Sequence, residues 1–205
     1  HSFILTSIIT WTHNDVKIHT LSEGDVNELH IGLKGTMNAL FLKDLAIKTK
    51  RGQRGRVEAG KIPGGNSYGY NIVRKLKEDG TVTTGEREVN REQANIINRI
   101  FKEYVEGQPP RTIARRLNAE SVPGPRGGLW NASTINGSRQ RRNGILNNEL
   151  YLGRITYNRQ RFIKDPETGK RVSRINPGQD WVQTDVPHLK IIDAKTWDKV
   201  QSIKA

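Results

Sequence analysis

LKGTMNALFLKDLAIKTKRGQRGRVEAGK, residues 33–61, decides how this chain is organised, because it begins as an amphipathic helix and ends as a run of unopposed cations. Met37, Leu40, Phe41 and Leu45 recur at helical spacing, so the first half has an apolar face to bury. Beyond Lys48 that face ends. Lys48, Lys50, Arg51, Arg54, Arg56 and Lys61 follow, relieved by Val57 and Glu58 and loosened by Gly52, Gly55 and Gly60. Each glycine costs a helix roughly 1 kcal/mol relative to alanine. Acids at four-residue spacing, which would make the run a salt-bridged solvent face, are nearly missing. The segment from Lys48 to Lys61 is therefore expected to order on an outside partner.

The bulk composition narrows that partner. A net charge of +13 and a pI near 10.2 point to nucleic acid or an anionic membrane surface. Regularly spaced positive charge without apolar cover suits a polyphosphate backbone, where neutralised phosphates release condensed counterions. Residues 1–33 hold one lysine, Lys17, against Asp15, Glu23, Asp25 and Glu28, so the basic excess lies after them. The absence of cysteine excludes disulfides and thiolate zinc sites within these 205 residues and fits a reducing, cytoplasmic setting. The apolar run 3–11 is too short to span a bilayer and is expected to be a buried helix face, with no membrane role. The chain starts at His1 and its single methionine is Met37, so its amino end is expected to be cut from something longer.

Periodicity then orders the elements. Residues 4–13 read as the end of a helix and 16–21 as a short strand, the last unit of an α/β domain. Residues 62–67, IPGGNS, read as a linker and domain boundary. Two strands over 68–76 and 81–89 turn at KEDG, 77–80. Asn90 and Gln93 suggest a capping box, and Ala94, Ile97, Ile100, Phe101, Tyr104 and Val105 mark the buried stripe of a helix stopped at Gly107. Pro109 and Pro110 open the next helix, with Ile113, Ala114 and Leu117 inside. After a turn over 122–128, the spacing of Ile135, Ile145 and Leu146 predicts a third helix across 131–148, capped by Ser133. Strands over 151–163, 171–175 and 181–186 and a helix over 193–203 complete the chain.

The order helix, helix, turn, polar helix is that of a helix-turn-helix. The third helix would present Asn136, Ser138, Arg139, Gln140, Arg141 and Arg142. Such side chains pair with guanine and adenine edges, and residues 121–148 contain no acid. Arg154, Arg159 and Arg161, with Lys164, Lys170, Arg171 and Arg174, line the next hairpin as a wing would, touching phosphates that fix register without reading sequence. No catalytic constellation stands out. His1, His13, His19, His30 and His188 lack metal-ligand spacing, so no metal and no cofactor are expected, and the acids near residues 15–28 read as loop and cap residues.

These residues also carry a resemblance. The string 33–61 resembles the long helix that leaves the catalytic domain of serine recombinases of the resolvase/invertase family. Residues 91–162, from REQANIINRIFKEYV to ITYNRQRF, are similar to the recombinase domain that follows that helix in large serine recombinases. The resemblance implies an α+β fold in three parts. Residues 1–33 would be a remnant of the catalytic α/β domain, 34–61 the connecting helix, and 62–205 a mixed, helix-turn-helix (winged) recombinase domain with β-hairpins. It implies double-stranded DNA as partner and self-association through the helix, as a dimer and, in the intact recombinase, a tetramer. Leu33, Met37, Leu40, Phe41 and Leu45 would form that contact. The parent reaction would be DNA recombination or integration of a mobile element through a phosphoserine link. The nucleophile's Tyr-x-Arg-x-Ser-like motif has no counterpart here, so this piece alone is expected to be inactive. Where relatives commonly show Glu then Lys or Arg, this chain has Ile47 and Lys48.

The expectation is therefore sequence-specific duplex binding by the DNA-binding part of a recombinase. A stand-alone regulator, a decayed gene product or a basic RNA-binding protein are the alternatives. RNA readers usually display stacking aromatics on a sheet, and aromatics make up 6% of this chain.

Overall fold

The computed structural model describes residues 18–20, 24–26 and 28–204, with side chains from Gly32 onward. The helix expected over 4–13 and the apolar run 3–11 lie outside the described residues. The chain divides into two compact units, 1–52 and 53–205.

In the first unit the expected strand is β1, Ile18–Thr20, paired antiparallel with β2, Gly24–Val26, in the register Ile18↔Val26. The partner strand was not foreseen, because Glu23 and Asp25 resemble loop residues. Helix α1, Glu28–Glu58, starts before the expected Leu33 and runs without a break through Gly52 and Gly55. The segment 48–61, expected to order on a partner, is helical as far as Glu58.

The reason lies in the second unit, where Val57 on the last turn of α1 is fully buried in the core. Lys61 N–H donates to Arg56 O at 2.8 Å and Gly60 N–H to Val57 O at 2.9 Å, with Gly60 at φ +70°. That is the six-to-one, five-to-two pattern that satisfies the last carbonyls of a helix. Lys61 lies beyond the helix and not in it.

The hairpin β3 (Tyr70–Val73) with β4 (Glu86–Val89) pairs Tyr70↔Val89, and the bridge Leu76↔Val82 extends it toward the expected turn. One extra residue is absorbed on the second strand, where Gly85 adopts φ +88° and its carbonyl accepts Ile62 N–H at 2.8 Å. Helix α2, Arg91–Val105, is capped by Asn90, whose side chain accepts from Gln93 N–H. The reciprocal half of a capping box is absent, since Gln93 Oε1 accepts from Gly69 N–H at 2.7 Å and ties the helix to the residue that enters β3. Pro110 opens α3, Pro110–Ala119, at its first position.

Ile97, Ile100 and Phe101 of α2 join Ile113, Ala114 and Leu117 of α3 in one core, and Ala94 on the same stripe is also buried. Tyr104 and Val105, expected in the same stripe, pack against its edge partly buried. Tyr70 is buried with its hydroxyl 2.9 Å from Leu150 O and 2.8 Å from Leu189 O, donating to either one at a time.

The strand expected over 151–163 is split. β5, Arg154–Tyr157, pairs with β8, Val182–Asp185, whereas β6, Gln160–Lys164, pairs with β7, Arg171–Ile175, as an inserted hairpin. Asn158 at φ +60° makes the break, and Asn176 Nδ2 donates to Asn158 O at 2.8 Å across the feet of the hairpin. A last helix, Ala194–Ile203, capped by Asp193, stacks Trp197 on Phe101 at 6.0 Å. No helix among the described residues is long and apolar enough to cross a membrane.

Candidate nucleic-acid interface

The short helix α4, Ala132–Asn136, stands where a long polar helix was expected. Asn131, not Ser133, is its cap, accepting from Thr134 N–H at 2.9 Å. It ends after one buried anchor, Ile135, because the chain reverses at Gly137, φ +56°. A Cβ on Gly137 would lie 1.9 Å from Asn143 O, and one on Gly144 would lie 2.6 Å from Gly137 Cα. Two backbones therefore touch where only glycine fits. Residues 137–144 form a closed loop, bridged at Ser138 and Asn143, with Asn143 Oδ1 accepting Ser138 N–H at 2.7 Å. The remaining anchors, Ile145 and Leu146, sit in a 3-10 turn, Ile145–Asn147. Two helices of the expected helix-turn-helix are present, but the third, expected to present the candidate readers, is a short helix followed by a loop.

Within it the candidate readers part company. Asn136 is held by Lys204 Nζ through its carbonyl at 2.8 Å and its Oδ1 at 2.6 Å. Arg139, Gln140 and Arg141 are exposed at the tip. Arg139 makes one long bond, to Lys204 O at 3.5 Å, and neither Gln140 nor Arg141 has a side-chain hydrogen bond or ion pair among the described residues. Ser138 Oγ accepts from Arg141 N–H at 3.4 Å. Arg142 turns inward, ion-paired with Glu149 and stacked 4.5 Å from the centre of the Trp181 ring.

The loop borders a groove of about 1400 Å³ whose lining includes Tyr68, Arg126, Thr134, Arg142, Asn143 and Arg159. Ser121, Arg126 and Arg142 also line it, and each holds positive φ, as only one other non-glycine residue, Asn158, does among those described. Left-handed backbone at such residues costs of order 1–3 kcal/mol each and gathers where function demands it. Arg159 Nη1 donates to Arg142 O at 2.5 Å. Burial holds Arg159 below the usual guanidinium pKa, Arg142 adds to that, and Glu149 opposes it. Lys204 is likewise depressed, by burial and then by Arg139.

The other candidates are more dispersed. Lys48, Lys50, Arg51 and Arg56 are exposed on α1 with no ion pair among the described residues, while Arg54 pairs with Glu58 at 2.8 Å. Lys61 stands 3.6 Å from Glu86. Arg154 is tied to Asp185 at 3.1 Å across the β5–β8 pair, outside the hairpin, and Arg161 to Asn176 Oδ1 at 3.0 Å at the hairpin's foot. Lys164, Lys170, Arg171 and Arg174 are exposed on it, with Arg171 4.6 Å above the Phe162 ring. Leu33, Met37, Leu40, Phe41 and Leu45 are all exposed. Sequence reasoning missed Arg126, Asn147, Glu149 and Trp181. The first carboxylate after a long acid-free stretch was the signal for Glu149. No group of three or more His, Asp or Glu among the described residues could hold a metal.

A small α+β domain with a cationic loop beside a groove is the class defined so far. The model of the family described as Recombinase matches residues 91–205, more than half of the chain. The chain belongs to that family, the carboxy-terminal region of serine recombinases. Among solved structures, "Crystal Structure of a LSR-DNA Complex" aligns with a TM-score of 0.43 and 19% identity, over 77% of this chain and 38% of that one. No curated protein matches.

Proposed function

We propose that this chain is the duplex-DNA-binding part of a site-specific serine recombinase, and that the tip of loop 137–144 reads base edges while the hairpin β6–β7 and α1 touch phosphates. The observation that carries this is the tip itself. Arg139, Gln140 and Arg141 project together from a loop closed by two glycines, exposed and almost free of internal partners. Guanidinium and amide groups held so match the donor and acceptor pattern of the major groove. Membership of the Recombinase family supports DNA as the substrate class. In the intact recombinase, strand exchange would proceed through the phosphoserine link that the resemblance implies, on a nucleophile this chain does not contain. The exposed Leu33, Met37, Leu40, Phe41 and Leu45 support self-association through α1.

Fluorescence anisotropy with duplex DNA over a salt series tests the reading. Affinity is expected to fall steeply with salt, and a site selected from a random duplex pool is expected to outcompete structured RNA at matched salt. Preference for the RNA would favour the RNA-binding alternative and end this one.

A further inference from the structure

Glu149 is the first acid after residues 121–148, and its side chain is mostly buried. Oε1 receives Arg142 from loop 137–144, and Oε2 receives the Thr156 hydroxyl from β5. Arg142 reaches further. Its guanidinium lies over Trp181, whose Nε1 donates to Asn176 O at 3.0 Å. Its carbonyl accepts from Arg159, and the carbonyl of Arg159 in turn accepts Asn176 N–H at 2.9 Å. Both feet of the hairpin β6–β7, at Asn158 and Arg159 on entry and Asn176 on exit, are thereby linked to one residue of the loop.

We propose that Glu149 is a positioning residue that couples loop 137–144 to the hairpin β6–β7, so that the two cationic elements engage DNA as a single grip; this rests on the DNA-binding reading above. Without the carboxylate, Arg142 and Arg159 are two neighbouring cations with no counter-ion. Removing one member of a buried pair leaves an uncompensated charge, and repulsion would part the loop from the root of the hairpin. Arg142 itself is engaged by Glu149 and Trp181, which assigns it to the frame and leaves base reading to Arg139, Gln140 and Arg141.

The test is a double-mutant cycle on the full chain, with a duplex site selected from a random pool. Arg141→Ala lies on the loop and Arg174→Ala on the hairpin. Their combined loss of affinity is expected to depart from the product of the single losses by about threefold or more in the parent, and to equal that product in the Glu149→Gln background. A role confined to fold stability would lower affinity without erasing that coupling.

Hydrogen exchange on the free protein supplies a second readout. E149Q is expected to raise exchange at the Asn143 and Asn176 amides together, while the Asn90 amide, bonded to Gly69 O, stays protected. If E149Q does not fold, Arg142→Gln, which removes the guanidinium that Glu149 and Trp181 engage, replaces it in both measurements. Independent losses in the parent, or exchange rising at only one of the two amides, overturn the coupling. If the parent binds no duplex, the DNA reading fails, and the exchange pattern alone decides whether loop and hairpin are linked.

Discussion

The side-chain nitrogen of Asn147 donates to the carbonyl oxygens of Asn136 and Asn143, both at 2.7 Å, and so closes loop 137–144 from beneath. Asn147 is 4% exposed, and its Oδ1 is a buried polar side-chain atom without a hydrogen-bond partner among the described residues. Both ends of loop 137–144 hang on one amide.

Asn147→Ala is therefore expected to destabilise the second unit by roughly 1–3 kcal/mol, the cost of leaving buried acceptors unpaired. Asn147→Asp should cost more, since a carboxylate would face two carbonyls. Urea unfolding of the two variants checks this, and parent-like midpoints for both would show that the loop closes without the clamp.

Gly137→Ala forces a methyl to within 1.9 Å of Asn143 O at φ +56°. Loss of the closed loop is expected, with weakened duplex binding. Gly55→Ala lies in α1 with nothing within 4 Å of the new atom, and should gain about 0.5–1 kcal/mol of helix stability. Thermal melts of the pair should move in opposite directions.

Arg141→Ala is expected to cost roughly 1–3 kcal/mol of binding to a selected site if it reads a base, with an unchanged melting temperature because its side chain has no hydrogen-bond or ion-pair partner among the described residues. Arg142→Ala should lower the melting temperature, since it removes the partner of Glu149. Calorimetry and anisotropy on the same samples separate the two roles.

Burial drives the hydroxyl pKa values of Tyr70 and Tyr151 upward, with neighbouring tyrosines adding to each, although the Asn148 contact lowers that of Tyr151. A pKa raised in the folded state above its unfolded value, about 10 for tyrosine, gives a contribution fully present below that pH. It is lost as the pH climbs through the folded value. Stability should therefore hold up to about pH 10 with respect to these groups and decline above it. Absorbance at 295 nm should show both hydroxyls ionising only as the fold is lost; early, reversible ionisation of all five tyrosines would contradict their burial.

Much of this molecule was legible in its residues alone. The stripe Ala94, Ile97, Ile100 and Phe101, the cap at Asn90 and the proline opening α3 all arise from spacing and from backbone groups a few residues apart, which a linear reading contains. The family resemblance across residues 91–162 was legible for the same reason, as long collinear strings.

What the tertiary structure decided is which cations are spoken for. A helix was expected across 131–148 because apolar anchors recur there, but Gly137 and Gly144 meet only once the chain has folded back, and their contact makes a loop. The strand over 151–163 splits because β5 finds β8 across an inserted hairpin. Arg142, Arg154 and Arg161 look like their neighbours in sequence, yet Glu149, Asp185 and Asn176 engage them, whereas Arg141 is left exposed. Local propensity depends on neighbours along the chain. Pairing of a charge depends on groups brought near by closure of the core, and no pattern in the linear order of residues contains that distance.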